Sequence, residues 1–162
     1  MTSITLITII NAPKQVVFDA CRNIDLHQKS TSKSKELAIA GVTSGLINLN
    51  KTVTWRGQHF GLYLTHKSRI TEMNLYSNFR DEMVEGRFKS FQHNHFFEEV
   101  NGCTTMKDEI QYEVPLTILG KIFDSLILKK HLTKFITERN QFIKNLVENN
   151  SKTSLDMEKD SY

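Results

Sequence analysis

The sequence predicts an α+β domain, a curved antiparallel sheet of about seven strands wrapped on one long C-terminal helix, with short helices after the first strand. Three observations lead there. Nearly everything from Ile4 to Tyr112 alternates between strand-forming runs and tight turns. Pro115 and Gly120 then punctuate the chain, and the stretch from Lys121 to Glu148 carries apolar residues at helical spacing. A long amphipathic helix that follows a run of antiparallel strands buries its stripe by lying across the concave face of the sheet. That arrangement leaves space between the two layers.

The elements follow in order. Ile4–Ile10 is the first strand, broken by Asn11-Ala12-Pro13. Proline suits a first helical turn because its missing N–H would be unpaired there anyway. Lys14 to Asn23 then places Val16, Val17 and Ala20 or Cys21 on one helical face, and Asp25-Leu26-His27 continues as a second short turn. The polar, Ser/Thr-rich run from Lys29 to Lys35 reads as a mobile surface loop. Strands are expected at Leu37–Ile39, Gly45–Leu49, Lys51–Gln58, Phe60–Met73, Leu75–Met83, Arg87–Val100 and Thr104–Val114. The domain is expected to span residues 1–148. The tail from Asn149 to Tyr162 has few apolar residues and no period, so disorder is expected there.

Two hairpins can be registered. Asn101-Gly102 is a strong type I′ turn signal, because that turn needs positive φ at both central positions. It pairs Val100 with Cys103, and counting back gives Phe97 opposite Met106, His95 opposite Asp108, His93 opposite Ile110 and Phe91 opposite Tyr112. With period two these residues share one face, while Glu98, Asn94, Gln92, Thr105, Lys107 and Glu109 share the other. The first set is therefore the concave, inward face. The preceding hairpin turns at Val84-Glu85-Gly86, which sets Met83 against Arg87, Asp81 against Lys89 and Phe79 against Phe91. The apolar stripe of the closing helix comprises Ile122, Phe123, Leu126, Leu128, Leu132, Phe135, Ile136, Ile143, Leu146 and Val147. The residues expected to line an internal ligand site are Phe79, Met83, Phe91, His93, Phe97, Met106, Ile110, Tyr112, Phe135 and Ile136.

Composition bounds the function. At 162 residues the chain forms one domain with room for a substantial core. The net charge of +3 is small and its basic residues are interspersed with acids, which argues against a nucleic-acid partner. No apolar run approaches the ~20 residues that span a bilayer. Thr5–Ile10 lacks a basic region before it and a cleavage site after it, so it reads as a strand and not a signal peptide. Cys21 and Cys103 make neither a disulfide framework nor a metal site, and a reducing cytoplasm is the expected location.

The local wording adds a resemblance. Val53-Thr-Trp55-Arg56-Gly57, Phe79-Arg-Asp81-Glu82-Met83, Phe88 to Phe97, Thr105-Met106-Lys107-Asp108, Pro115 to Gly120 and the helical Arg139-Asn140 resemble a bacterial branch of the START/Bet v 1-like (SRPBCC) superfamily. Members of that branch are often labelled cyclase/dehydrase-like or cell-division-related. Thr117 stands where the resemblance leads us to expect glycine. Residues 3–148 carry the resemblance, which implies the helix-grip fold and an internal cavity for an apolar ligand. It does not choose between carriers and enzymes.

Three chemistries are open to the inward polar group. His93-x-His95 has the spacing of a metal pair on one strand face, but the sequence offers no clear third ligand, so neither metal nor cofactor is expected. Asp108 opposite His95 would make an acid–base dyad, the catalytic pair of a cyclase or dehydratase. It would equally make a buried polar pair with a structural role, since an inward carboxylate needs a partner. The function expected is binding or carrying a small hydrophobic or amphipathic molecule. The alternatives are that enzyme, or an interaction module with a filled core, a homodimer through outward Phe88 and Phe96 among its forms.

Overall fold

The computed structural model describes residues 1–115 and 124–159, with side chains through residue 150. The strands are β1 (Thr2–Ile10), β2 (Leu37–Gly41), β3 (Thr52–His59), β4 (Leu62–Asn74), β5 (Asn78–Glu85), β6 (Ser90–Val100) and β7 (Cys103–Glu113). They form one antiparallel sheet in the order β1-β7-β6-β5-β4-β3-β2, a meander with β1 closing beside β7. Helices α1 (Lys14–Cys21) and α2 (Ile24–Ser30) lead from β1 to β2. A π-helical turn at Asp124–Leu128 opens the final helix, α3 (Lys129–Lys159), which packs on β1, α1 and α2. This is the helix-grip arrangement. Among the described residues no helix is long and apolar enough to cross a membrane.

The β6–β7 hairpin has the register that Asn101-Gly102 dictates, from Val100 opposite Cys103 through His95 opposite Asp108 to Phe91 opposite Tyr112. Both turn residues take positive φ, 52° and 76°. The β5–β6 hairpin differs. Residues Gly86 to Lys89 all lie outside the strands, so the loop is longer than the three-residue turn and every pair slides by four residues. Phe79 faces His95 and Asp81 faces His93. A slide by an even number keeps each side chain on its expected face but changes its partner.

Other differences are local. Gly45–Leu49 is not a strand: Gly45 takes φ 73°, Ile24 N–H bonds to the Gly45 carbonyl at 2.9 Å, and Ile47 N–H bonds to the Arg22 carbonyl at 3.1 Å. These bonds tie the segment to the α1–α2 junction instead of the sheet. The expected surface loop at Lys29–Lys35 is the end of α2 and a 3₁₀ turn at Ser32–Ser34. Its Thr31 is buried and donates its hydroxyl to the His27 carbonyl. Helix α3 runs on to Lys159, past the expected end at Glu148. The segment Asn149–Lys159 has neither proline nor glycine, and extending a formed helix costs far less than starting one. Residues 160–162 of the expected tail, Gly120, and Ile122 and Phe123 of the helical stripe lie outside the described residues.

On α3, Leu132, Ile136, Ile143 and Val147 turn inward at helical spacing, whereas Leu126 in the π-helical turn is 61% exposed. The inner face also carries two polar residues, Arg139 and Asn140, both buried. The core lies at the two ends of the concave face. At one end Phe18 of α1 meets Phe79 and Phe97 edge-on, with centroids 5.4 and 5.2 Å away. At the other, Ile4, Ile110 and Tyr112 pack under Leu128 and Ile136.

A Cβ on Gly102 would meet nothing within 4 Å, so its only obstacle is the left-handed backbone. Gly102→Ala is expected to cost about 1–2 kcal/mol in urea unfolding while leaving the far-UV spectrum unchanged.

Candidate functional site

Between the sheet and α3 lies a cavity of about 210 Å³. Its walls are mainly apolar, drawn from Ile24 and Ile47, from Val53 and Trp55 of β3, from Ile70 of β4, and from Leu132, Phe135 and Ile136 of α3. Polar side chains line the cavity too, and one cluster lies on β5, β6 and α3. Asp81 of β5 and His93 and His95 of β6 form it, and Arg139 of α3 faces the same space.

The polar region follows from strand periodicity. His93 and His95 are two apart, so both point to the concave face, and the β5–β6 register sets Asp81 directly opposite His93. The β6–β7 register brings Asp108 to the same face opposite His95. Asp108 is fully buried behind the two imidazoles. Its Oδ1 is 2.9 Å from His93 Nε2 in a hydrogen bond. His95 Nδ1 is 2.8 Å from the same oxygen but off the direction its N–H needs, so that approach is a charge contact without a hydrogen bond. On the cavity side, His95 Nε2 donates to Asp81 Oδ1 at 3.4 Å, and His93 Nδ1 is 3.9 Å from that oxygen. The two rings lie 3.8 Å apart, and Phe79 stacks on His95 at 4.2 Å, which fixes its plane.

Helix α3 completes the Asp108 environment. Asn140 Nδ2 donates to Asp108 Oδ2 at 2.7 Å, while Asn140 Oδ1 accepts from Arg139 Nη1 at 3.1 Å. The amide thus points its NH₂ at an anion and its oxygen at a cation, the orientation both charges favour. Arg139 also donates to the Cys21 carbonyl at 2.9 Å. Among the described residues no carboxylate lies within ion-pair distance of Arg139, and no Lys or Arg forms an ion pair with Asp81 or Asp108.

The charges settle accordingly. Burial pushes the Asp108 carboxyl up, but His93 and His95 outweigh it and hold the group well below the usual range. Asp81 is lowered in the same way: burial opposes, and the His95 bond and both imidazoles prevail. For His95, burial acts downward and the two carboxylates win, so its pKa rises. His93 is lowered, first by burial and then by the charge on His95. A second pair marks the cavity rim, with His59 Nδ1 and His131 Nε2 3.1 Å apart and Phe60 packed on His131. Near α2, His27 stacks on Trp55 and bonds Glu36 at 2.8 Å. Cys21 is buried and its thiol is pushed up to about 12, which leaves it unreactive.

Of the residues expected to line the site, Phe79, Phe91, His93, Phe135 and Ile136 do, together with His95. The others do not. Phe97 and Met106 pack in the core around Phe18. Ile110 and Tyr112 are buried in the second cluster, where the Tyr112 hydroxyl donates to Asp124. Met83 lies against Gly86 near the C-terminal end of β5. Asp108 itself does not reach the cavity, so a dyad made of His95 and Asp108 meets a bound molecule only through the imidazole. Phe88, expected outward, lies in the β5–β6 loop and lines the cavity. Sequence reasoning missed Asp81, because the shorter turn had paired it with Lys89. It also missed Arg139 and Asn140, two polar residues at helical spacing inside an apolar stripe.

No protein-family model and no curated protein matches the chain. Solved structures do. A START superfamily protein from Mycobacterium smegmatis aligns with a TM-score of 0.69 over 91% of this chain and 97% of its own, at 11% identity. The major latex-like protein 151 of Panax ginseng aligns at 0.68 over 90% and 97%, at 15% identity. The KanY protein aligns at 0.71 over 91% and 97%, at 14% identity. The chain therefore shares its helix-grip fold with these proteins.

Two outcomes are expected. Asn140→Ala strips a charged, buried acceptor of one donor and should cost about 1–3 kcal/mol in urea unfolding, against less than ~0.5 for the exposed Gln141→Ala. Glu36 is lowered below its ordinary 4.5, with burial opposing and His27 prevailing, aided by His59 and His66. A depressed carboxylate contributes stability above its unfolded value and loses it as pH falls through the folded one. Thermal melts from neutral pH downward should thus show less acid destabilisation in Glu36→Gln than in the native chain below 4.5.

Proposed function

We propose that this domain binds a small amphipathic molecule between the sheet and α3, apolar body against Trp55, Ile70 and Ile136 and polar end toward His93, His95 and Arg139. One observation carries the reading: an unfilled space with mostly apolar walls converges on buried ionisable groups at one end. Its volume of about 210 Å³ lies below the ~300–1,000 Å³ of sites for drug-sized ligands, which favours a compact molecule over a long-chain lipid. A buried guanidinium with no carboxylate within ion-pair distance among the described residues favours a polar end with an acidic or carbonyl oxygen.

An open cavity counts against an interaction module with a filled core. The cyclase or dehydratase reading loses Asp108 as a group that touches substrate, and Asp81 beside His95 takes over that position.

The test is binding of the apolar fluorophore 1-anilinonaphthalene-8-sulfonate, with native mass spectrometry of the freshly purified chain for a retained ligand. The fluorophore should bind one per chain, and Ile136→Trp, which extends an indole into the cavity, should weaken it at least ~10-fold with the fold intact by circular dichroism. Equal binding by the native chain and the filled variant would remove the reading.

A further inference from the structure

We propose that Asp81, His93 and His95 form a binding site for one divalent transition cation of the zinc or ferrous class. The three side chains each offer one donor atom, and these atoms all lie within 4.8 Å of one another. The nearer separations are 3.4 Å from His95 Nε2 to Asp81 Oδ1 and 3.9 Å from His93 Nδ1 to the same oxygen. An ion about 2.1 Å from each donor needs them about 3.0–3.5 Å apart, so the two separations to Asp81 close by at most about 0.9 Å, while the donors now spread over as much as 4.8 Å must draw together by an ångström or more through side-chain rotation.

The surroundings already orient the donors. Asp108 Oδ1 takes the hydrogen bond of His93 Nε2, and Asp108 Oδ2 is in turn held by Asn140. A carboxylate behind a histidine, itself hydrogen-bonded, is the arrangement that turns an imidazole lone pair toward a metal. It leaves His93 Nδ1 as a bare lone pair facing the Asp81 carboxylate at 3.9 Å, two electron-rich groups in a buried place. A cation between them removes that opposition. Two carboxylates meet at this point, and among the described residues they form ion pairs with His93 and His95 and with no Lys or Arg, so a cation that displaces the His95 Nε2 proton takes over the charge balance. Two imidazole nitrogens and one carboxylate suit zinc or ferrous ion rather than magnesium or calcium, which take oxygen.

Three protein ligands leave a position open, and here it faces the cavity. A bound molecule would set an oxygen there, a carbonyl, enol or carboxylate. That last step rests on the cavity being a ligand site, whereas the cation site does not.

The decisive experiment titrates the chelator-treated full chain with Zn²⁺ and with Co²⁺ by calorimetry, without any organic ligand. One cation per chain is expected. Asp81→Asn should weaken it by roughly 100-fold or more, at or above the loss usual for an outer-shell partner. His131→Asn removes the rim pair with His59 and should retain the cation. In native protein Co²⁺ should shift and broaden the ring signals of His93 and His95 ahead of those of His59 and His131, a readout that needs no variant. Absence of binding, binding undiminished in Asp81→Asn, loss in His131→Asn, or Co²⁺ effects confined to the rim histidines would each overturn the proposal. None of these results depends on whether the fluorophore binds.

Discussion

The constraint on which this structure turns is a carboxylate taken wholly out of water. Asp108 sits on β7 with no exposed surface, and an unpartnered charge at such a depth would cost several kcal/mol. Its partners come from two directions. Histidines on β6 approach Oδ1, and an amide from α3 holds Oδ2. Satisfying one group therefore fixes the β6–β7 register and the rotation of α3 over the sheet together. If the helix turned by one residue, Asn140 would leave Asp108 and either Arg139 or the solvent-facing Gln141 would replace it.

Aromatic packing decides where the hollow falls. Phe18, Phe79 and Phe97 close one end edge-on, and Phe88, Phe91 and Tyr112 gather at the other. Rings that large, held in fixed geometry, cannot relax into the space between them, so a gap persists. Phe79 serves both functions, since one face stacks on His95 at the polar end while its edge meets Phe18.

Much of this was legible from residues alone, and the limit can be located. Asn101-Gly102 dictated a turn with positive φ at both positions, and eleven residue pairs of β6–β7 follow from it. The β5–β6 loop carries no such dictate. Val84-Glu85-Gly86 offers a glycine, but Gly86 does not take a left-handed conformation, and the chain runs on through Lys89 before pairing resumes. The slip of four residues kept Phe79 and Asp81 on the right face and hid only their partners. That was enough to separate Asp81 from His93 and His95 and leave the histidine pair without a third group. Arg139 and Asn140 were hidden for another reason. Helical periodicity announces which positions face inward, not whether a polar side chain at one of them finds a partner across the sheet. The same blindness to depth put Ile110 and Tyr112 on a cavity wall when they lie packed beneath it.

Stability alone does not account for the polar end. Buried charged clusters are often no more stabilising than apolar residues of the same volume, and here Asp108, two histidines and an arginine occupy the interior, with Asp81 half-buried beside them, in a chain with ample apolar residues to fill it. Elsewhere the main sequence signals agree with the fold: the Asn101-Gly102 turn, the alternation along β7 and the inward residues of α3. A local exception inside an otherwise consistent design is where function is expected to reside. The fold is shared with proteins of only 11–15% identity and says nothing about what enters the cavity. What sets this chain apart within the common fold is therefore the few polar side chains that β5, β6 and α3 deliver to one end of the cavity.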